Sequence, residues 1–570
     1  MVLDGIIAQL PSNILIDVIL MIIVATVVAF FTHMIRQPLI PAYVLTGILL
    51  GPSVFGLVKN YDAILTLSEI GIAFLLFVVG LEMDFRKLKE VGWVASLGGL
   101  IQVALTFFVG YAVSVYFGFT ELTAAYVGLV LAFSSTMVVV KLLSDRDELQ
   151  TLHGRIALGI LIMQDFIVVF VLAILGEVNT FSAGSFLGVL VKAGLFLVLC
   201  MIFLKYVLPG VFKISTRNKE LMFLMSITAC FLFAIIALEF GFSIVVGAFL
   251  AGLMLGNLPY YVEITKMVKP LRDFFATLFF IALGMQLDLG SLGNFVKPLI
   301  YFLLIVLLIK PFIIFMITIL FGYEKKTSFL SGMALGQISE FSLVLVALGL
   351  QLGHVNHAFL SLTVLLAVVS ITLTSYVMNY QHHLYKDISK ALVFFERFSF
   401  VKQKALQYVP EKNYHFVLFG GRRMAPILIE KLKKTKKNAL IVDYDPDAIK
   451  KYIEHGIPCL YGDMSNEDLL KKAKVSKAKV IISTVMTKDD NIFLLEHAKA
   501  MNKKATIIVS AATAKTAIEM YERGADYVIV PHLLSGEFIV RSLFKAISDH
   551  KKLYAMRHKH VMHLLSMATR

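Results

Sequence analysis

Ile160-Leu-Ile-Met-Gln-Asp-Phe-Ile-Val-Val169 sets two polar side chains, Gln164 and Asp165, near the middle of an otherwise wholly apolar run. That run lies inside a longer apolar stretch, 154–176, of the length that crosses a bilayer, roughly 17 to 25 residues. An ionisable group at such depth is costly to insert and is a functional candidate by default. Working outward, twelve further apolar segments fall at 14–34, 39–58, 63–82, 92–117, 122–144, 184–208, 219–239, 241–257, 274–287, 294–322, 328–351 and 358–379, making thirteen expected spans. The 570-residue chain is 58% hydrophobic and 16% charged, with a mean hydropathy of +0.82. Soluble domains carry roughly 25% charge, so a polytopic membrane protein is expected. The three cysteines, Cys200, Cys230 and Cys459, are too far apart for a disulfide framework or a paired metal motif.

Charge divides the chain. Residues 1–381 hold 20 Lys+Arg and 20 Asp+Glu, and residues 382–570 hold 33 and 19, so the whole formal excess of +14 is C-terminal (33 − 19). The division predicts a membrane domain, 1–381, and a polar region whose basic face looks into the cytoplasm; no nucleic-acid motif accompanies it. With a cytoplasmic C-terminus, thirteen spans put the N-terminus outside, and the first span does not read as a signal peptide, since Met1 to Pro11 lacks a basic stretch and no small-residue cleavage site follows. The loops then assigned inside hold sixteen Lys and Arg, and those outside hold Lys59 and Lys297 alone. Lys192 and Lys310 remain within spans.

A shift of 204 or 205 positions aligns Gly47-Ile-Leu-Leu-Gly51 with Gly252-Leu-Met-Leu-Gly256, Gly80-Leu-Glu-Met-Asp84 with Gly284-Met-Gln-Leu-Asp288, and the Ser135 region with the Ser339 region. Segments two, three and five therefore correspond to nine, ten and twelve. An offset of seven spans makes the copies opposite in orientation, the inverted repeat of secondary transporters. A potassium filter sequence of the T-V-G-Y-G kind is missing, which disfavours a ligand-gated cation channel.

Burying the charge of Asp165 places a proton and a bare cation in competition for one site. Phe133-Ser-Ser-Thr-Met137 and Gly336-Gln-Ile-Ser-Glu-Phe-Ser342 interrupt segments five and twelve at corresponding depth, and both helices are expected to break there. Unwound backbone supplies carbonyls for a cation, while half-helix ends carry dipoles that need compensation. Ser134, Ser135 and Thr136 are assigned to cation ligation with Gln164 and Asp165, the monovalent cation sitting at Asp165 and Thr136. Glu340, the counterpart of Thr136, is assigned to the positive half-helix ends. Lys310 has to pair or become neutral, with a polar partner expected near Gln164 and Asp165. Glu82, Asp84 and Asp288 read as solvated helix ends.

Residues 382–412 read as an amphipathic linker. From His415 short β runs alternate with helices: His415–Phe419, Ala439–Val442, Val480–Ser483, Thr506–Val509 and Tyr527–Val530. This predicts an all-α membrane domain joined to a cytoplasmic α/β, doubly wound parallel sheet over 413–545, followed by a basic tail, 546–570. The tail histidines, His550, His558, His560 and His563, read as part of a solvated basic helix. The first strand runs into Gly420-Gly-Arg-Arg-Met-Ala425, where a dinucleotide fingerprint wants glycine at Arg422. Asp443 ends the second strand, where an acid takes ribose hydroxyls, and Arg422 or Arg423 is placed to neutralise a phosphate. Gly420, Gly421, Arg422, Arg423, Asp443 and Asp463 form the candidate nucleotide site. An oxidoreductase would need a hydride-transfer site, and the sequence offers no candidate for one, so no enzymatic activity is expected.

The Gln164-Asp165 pair, Phe133-Ser-Ser-Thr136, Phe280-Ile-Ala-Leu-Gly-Met-Gln-Leu-Asp288, Gly336-Gln-Ile-Ser-Glu-Phe341 and Leu440-Ile-Val-Asp-Tyr-Asp-Pro446 together resemble the monovalent cation:proton antiporter-2 family. Nearly the whole chain is similar to its Kef-type potassium/proton antiporters with a C-terminal TrkA-N, or RCK, domain. The resemblance implies a homodimer in a prokaryotic plasma or inner membrane, in which a core domain carries Asp165 across the bilayer by an elevator-like movement. It implies electroneutral potassium/proton exchange, because electrogenic sodium/proton relatives have two adjacent aspartates where this chain has Gln164-Asp165. Sodium/proton exchange is the alternative within transport. The resemblance also implies regulation by a nucleotide, AMP or NAD(H), with none needed for transport itself. The acidic loop that takes part in glutathione gating of Kef-type members reads here Tyr260-Tyr-Val-Glu-Ile-Thr-Lys-Met-Val-Lys-Pro270, with a single acid.

Overall fold

Asn13 starts the first helix by accepting the Leu15 amide on its Oδ1 at 3.0 Å, satisfying one of the donors that a helix N-terminus leaves free. The apolar runs that follow close into helices because only internal pairing satisfies backbone polar groups in lipid. The computed structural model describes residues 13–35, 37–82, 93–146, 148–149, 151–175, 192, 194–196, 198–215, 218–287, 293, 295–392, 394–395, 407–410, 413–421, 438–464 and 467–538. Two units emerge, one of Met1–Ile319 with Lys325–Arg397 and one of Leu320–Glu324 with Phe398–Arg570.

The first unit is helical: α1 (Ile14–Met34), α2 (Leu39–Leu50), α3 (Tyr61–Glu82), α4 (Trp93–Tyr116), α5 (Glu121–Ala132), α6 (Thr136–Ser144), α7 (Leu152–Leu175), α8 (Leu208–Ser215), α9 (Lys219–Glu239), α10 (Ile244–Gly256), α11 (Tyr261–Met285), α12 (Val296–Leu304), α13 (Lys310–Leu320), α14 (Lys325–Ala334), α15 (Glu340–Gln351) and α16 (His357–Leu392). Among the described residues nine helices are long and apolar enough to cross a membrane, against the thirteen spans expected. The other four expected segments are also helical, but α2 and α10 have only 12 and 13 residues, and α14 and α15 are two halves of a broken helix. The fourth, α11, is longer than the expected 274–287 and carries Glu263, Lys266, Lys269, Arg272 and Asp273 in its first half. Residues 184–191, Arg422, Arg423, Asp84, Asp288 and the tail 546–570 lie outside the described residues. The last helix, α16, runs unbroken through 382–392, where the sequence reading begins a separate linker.

α1, α2, α3, α9, α10 and α11 pack together. Their closest approaches are backbone on backbone: a Cβ on Gly47 of α2 would lie 2.8 Å from Gly284 Cα of α11, and one on Gly80 of α3 would lie 2.7 Å from Leu253 N of α10. A Cβ on Gly51 would lie 2.8 Å from Met285 Cα, and one on Gly256 would lie 2.8 Å from Leu81 O. Without a hydrophobic drive between helices in lipid, small residues that let backbones approach are what bind them, and Gly47/Gly51 and Gly252/Gly256 each have the four-residue spacing that does so. The contacts exchange partners across the repeat: α2 of the first copy meets the second copy's equivalent of α3, and α3 meets the equivalent of α2. Such an exchange is what an inverted repeat produces.

The remaining helices hold the breaks. α5 ends at Ala132 and α6 starts at Thr136, with Ser135 as cap accepting the Val138 amide at 3.3 Å. α14 ends at Ala334 and α15 starts at Glu340, with Ser339 as cap accepting the Phe341 amide at 3.1 Å. Between α12 and α13 a π-helical turn, Ile305–Ile309, precedes Lys310 and Pro311. Such turns reposition side chains within a helix and recur at functional sites.

The second unit is built on a seven-stranded sheet, ordered β1-β4-β3-β2-β5-β6-β7, of β1 (Gln407–Tyr408), β2 (Phe416–Phe419), β3 (Ala439–Asp443), β4 (Cys459–Tyr461), β5 (Val480–Ser483), β6 (Thr506–Ser510) and β7 (Tyr527–Ile529). β2 to β7 are parallel in the doubly wound order 3-2-1-4-5-6, and β1 is an antiparallel edge. Alternate side chains bury on opposite faces: Val417, Phe419, Leu440 and Val442 on one, Leu418, Ile441 and Cys459 on the other. The sheet adds β1 and β4 to the five expected strands; with two and three residues they are too short to show a pattern of their own.

Candidate functional site

The break between α5 and α6 faces the middle of α7, and there Thr136 Oγ1 donates to Asp165 Oδ2 at 2.9 Å. Asp165 keeps part of its surface accessible, while Gln164, Ser134 and Ser135 around it are sealed. The charged groups acting on Asp165 are two further acids, Glu340 first and Glu82 second. A carboxylate among carboxylates, beside a hydroxyl, attracts a cation or a proton.

The other assigned hydroxyls do different work. Ser134 Oγ donates to Leu335 O at 3.0 Å, tying the first break to the second. Ser135 caps α6 and faces Glu340, whose carboxylate also meets the Met137 amide. Glu340 therefore lies at the positive starts of both α6 and α15, where a negative charge is stabilised by the free amides and the dipole. Lys310 does not meet Asp165 or Gln164 in any described hydrogen bond; its Nζ donates to Phe133 O at 2.8 Å and to Gln337 O at 2.9 Å. These carbonyls lie where the broken helices lose their internal partners, and Lys310 supplies the donors they lack. The second break is held further by Thr374 Oγ1 donating to Gly336 O at 2.7 Å and Ser370 Oγ accepting the Ile338 amide at 3.3 Å, while the buried Gln337 carboxamide has no hydrogen-bond partner among the described residues.

Gln164 holds its place through its amide: Oε1 accepts the Ser134 amide at 2.8 Å, and Nε2 donates to Gln102 Oε1. Gln102 on α4 is the member of this site that sequence reasoning missed. A polar side chain in an apolar span was its only signal, and a search for ionisable groups passes over an amide.

In the second unit, the turn after β2 needs glycine twice. Gly420 has φ +90°, and a Cβ on Gly421 would lie 2.8 Å from the Tyr452 ring and 3.0 Å from Asp443 Oδ2. Asp443 accepts the Gly421 amide on Oδ2 and the Asp445 amide on Oδ1, the latter at 2.8 Å. Burial, with Asp443 beside it, pushes the Tyr452 phenol up to about 12, so it stays a neutral donor to Gly421 O. An acid ending β3 beside the Gly420–Gly421 turn is the chemistry that suits a ribose and its phosphate. Asp463 follows β4 and uses its amide on Glu324 Oε1 at 2.9 Å.

Two helices broken beside a carboxylate, in a helical unit whose halves exchange equivalent contacts, define the architecture of a secondary transporter. Residues 19–379 match the family described as sodium/hydrogen exchanger, transmembrane, and the chain belongs to that family. Residues 416–531 match the TrkA-N domain. The chain is similar to K(+) efflux antiporter 5 of Arabidopsis thaliana, 32% identical over 351 residues, which are 60% of this chain; it spans 62% of that relative's length. It is also similar to the glutathione-regulated potassium-efflux system protein KefC of Escherichia coli O139:H28, 26% identical over 491 residues covering 85% of this chain and 77% of that one. These relatives agree with the Kef-type resemblance read from the sequence.

Proposed function

We propose that the chain exchanges a monovalent cation, potassium before sodium, for a proton at Asp165. The observation that carries this is Thr136 Oγ1 on Asp165 Oδ2 at the break, with two further acids, Glu340 and Glu82, acting on the carboxyl group. A cation arriving at Asp165 displaces the proton, Thr136 turns its hydroxyl oxygen to the ion, and Ser134, Ser135 and Gln164 shape the cavity around it. Glu340 and Lys310 compensate the half-helix ends and stay in place through the cycle. With an amide at Gln164, one carboxyl group serves one cation and one proton, which makes the exchange electroneutral. Potassium is favoured by the relatives named as potassium-efflux proteins; the family description leaves sodium as the second reading.

In this reading thirteen segments cross a prokaryotic cell membrane with the N-terminus outside and the doubly wound unit in the cytoplasm. The working form is a homodimer, and Asp165 moves across the bilayer with its helices. A nucleotide, AMP or NAD(H), regulates exchange: Gly420 and Gly421 would hold its phosphate, with Arg422 or Arg423 neutralising it, and Asp443 its ribose, Asp463 lying close by.

The test is proton movement in proteoliposomes on adding potassium or sodium chloride, at zero and imposed potential. Potassium-driven flux that ignores the potential and vanishes in Asp165→Asn supports the reading. Flux undiminished in that variant overturns it, and sodium preference moves the protein to the second reading.

A further inference from the structure

Gln102, on α4, is fully buried, and its whole carboxamide is engaged by the site. Nε2 donates to Ala132 O at 3.0 Å and to Thr106 Oγ1 at 3.2 Å, and Oε1 accepts from Gln164 Nε2. Gln164 Oε1 then accepts the Ser134 amide at 2.8 Å. The two side-chain amides thus form a bridge from the last carbonyl of α5 to the amide of Ser134 in the break. Both ends of the bridge are main chain: Ala132 can only accept and Ser134 N–H can only donate. The sense of each amide is therefore fixed, because reversing either one would set two oxygens or two NH2 groups face to face.

We propose that Gln102 is a positioning residue that holds position 164 as an amide and so limits the site to one carboxylate. A carboxylate at 164 could accept the Ser134 amide but could not donate to Gln102 Oε1. Gln102 would have to turn, and its oxygen would then face Ala132 O, leaving a buried carbonyl without its donor. The one-for-one stoichiometry is then set by α4 as well as by α7. This inference rests on the antiport reading.

The experiment measures potassium-driven proton flux of the full chain in proteoliposomes for wild type, Gln102→Leu, Gln164→Asp, Gln102→Lys and the pair Gln102→Lys with Gln164→Asp. With the bridge cut, the break loses its register, and Gln102→Leu is expected to raise the apparent KM for potassium at least ten-fold while kcat stays within about two-fold. Gln164→Asp and Gln102→Lys should each lower flux at least ten-fold. A lysine introduced at 102 can donate both to Ala132 O and to a carboxylate introduced at 164, so the pair should recover at least ten-fold over either single change. An unchanged KM in Gln102→Leu, or losses in the pair that simply add, would overturn the proposal. Should Gln102→Leu not fold, the pair decides alone. Absent potassium- or sodium-driven flux in wild type would instead sink the antiport reading on which the proposal stands.

Discussion

Phe133 and Gln337 share one amino group: Lys310 Nζ donates to both carbonyls, at 2.8 and 2.9 Å, and the two residues stand 204 positions apart, the interval of the internal repeat. One side chain from outside the repeated breaks therefore serves the same backbone position in both copies.

Removing that amino group should destabilise the membrane unit. Lys310→Met leaves two buried carbonyls without a donor, at about 1–3 kcal/mol each. The melting temperature of the detergent-solubilised protein should fall, and a melting curve identical to wild type would show that water replaces Lys310 at no loss.

Thr136→Val removes the hydroxyl from Asp165. It also removes the hydroxyl oxygen that turns to the ion in the proposed cycle; a contact of the size of a hydrogen bond to a charged group, about 1.5–3 kcal/mol, raises the apparent KM for the transported cation about ten- to hundred-fold. Thr136→Ser keeps the donor and should stay within a few-fold. Equal behaviour of the two variants in the flux assay would remove Thr136 from the ion site.

Gly47→Ala and Gly252→Ala press a methyl group into equivalent backbone seams, and overpacking of this kind costs about 1–3 kcal/mol. Both should lower the melting temperature by similar amounts, because the positions are related by the repeat. Gly210→Ala, in a helix with open space around the added carbon, should be neutral or gain up to about 1 kcal/mol.

Burial pushes the Cys459 thiol up to about 11, against a lowering contribution from the Tyr408 backbone. The thiolate is the reactive form, so about one thiol in a thousand is reactive at pH 8. Alkylation of Cys459 by iodoacetamide, followed by peptide mapping, should be slow at pH 8 and rise about ten-fold per pH unit towards pH 11. Rapid labelling at pH 8 in the folded protein would contradict the burial of this strand.

The membrane unit was legible in the sequence where composition and spacing coincide. Asp165 stands out because charge in an apolar run is costly, and Thr136 and Glu340 because the repeat interval pairs them. The individual hydroxyl roles were not legible: whether Ser134, Ser135 or Thr136 reaches Asp165 depends on how the chain unwinds after Ala132, and spacing along the sequence does not encode that. Lys310 was readable as a group in need of a partner, but its carbonyl partners lie 177 and 27 residues away in the chain. In the doubly wound unit, Val480–Ser483 was visible from its β-branched run, whereas Cys459–Tyr461 is held by its neighbours β3 and β1 rather than by its own pattern. The start of α11 was hidden because lysines, an arginine and acids fill it, and hydropathy reads such a segment as loop.

The glycine seams also have a mechanical meaning. Where Gly47 meets Gly284 and Gly80 meets Gly252, no side chain lies between the helices, so no rotamer change can loosen the joint. Sliding α2 along α11 would drive residues with a Cβ, such as Val44 or Phe280, into backbone at van der Waals distance. Each seam thus favours one resting register, and the repeat supplies two such seams. The two seams join α2, α3, α10 and α11 into one panel whose register is set by backbone rather than by side chains.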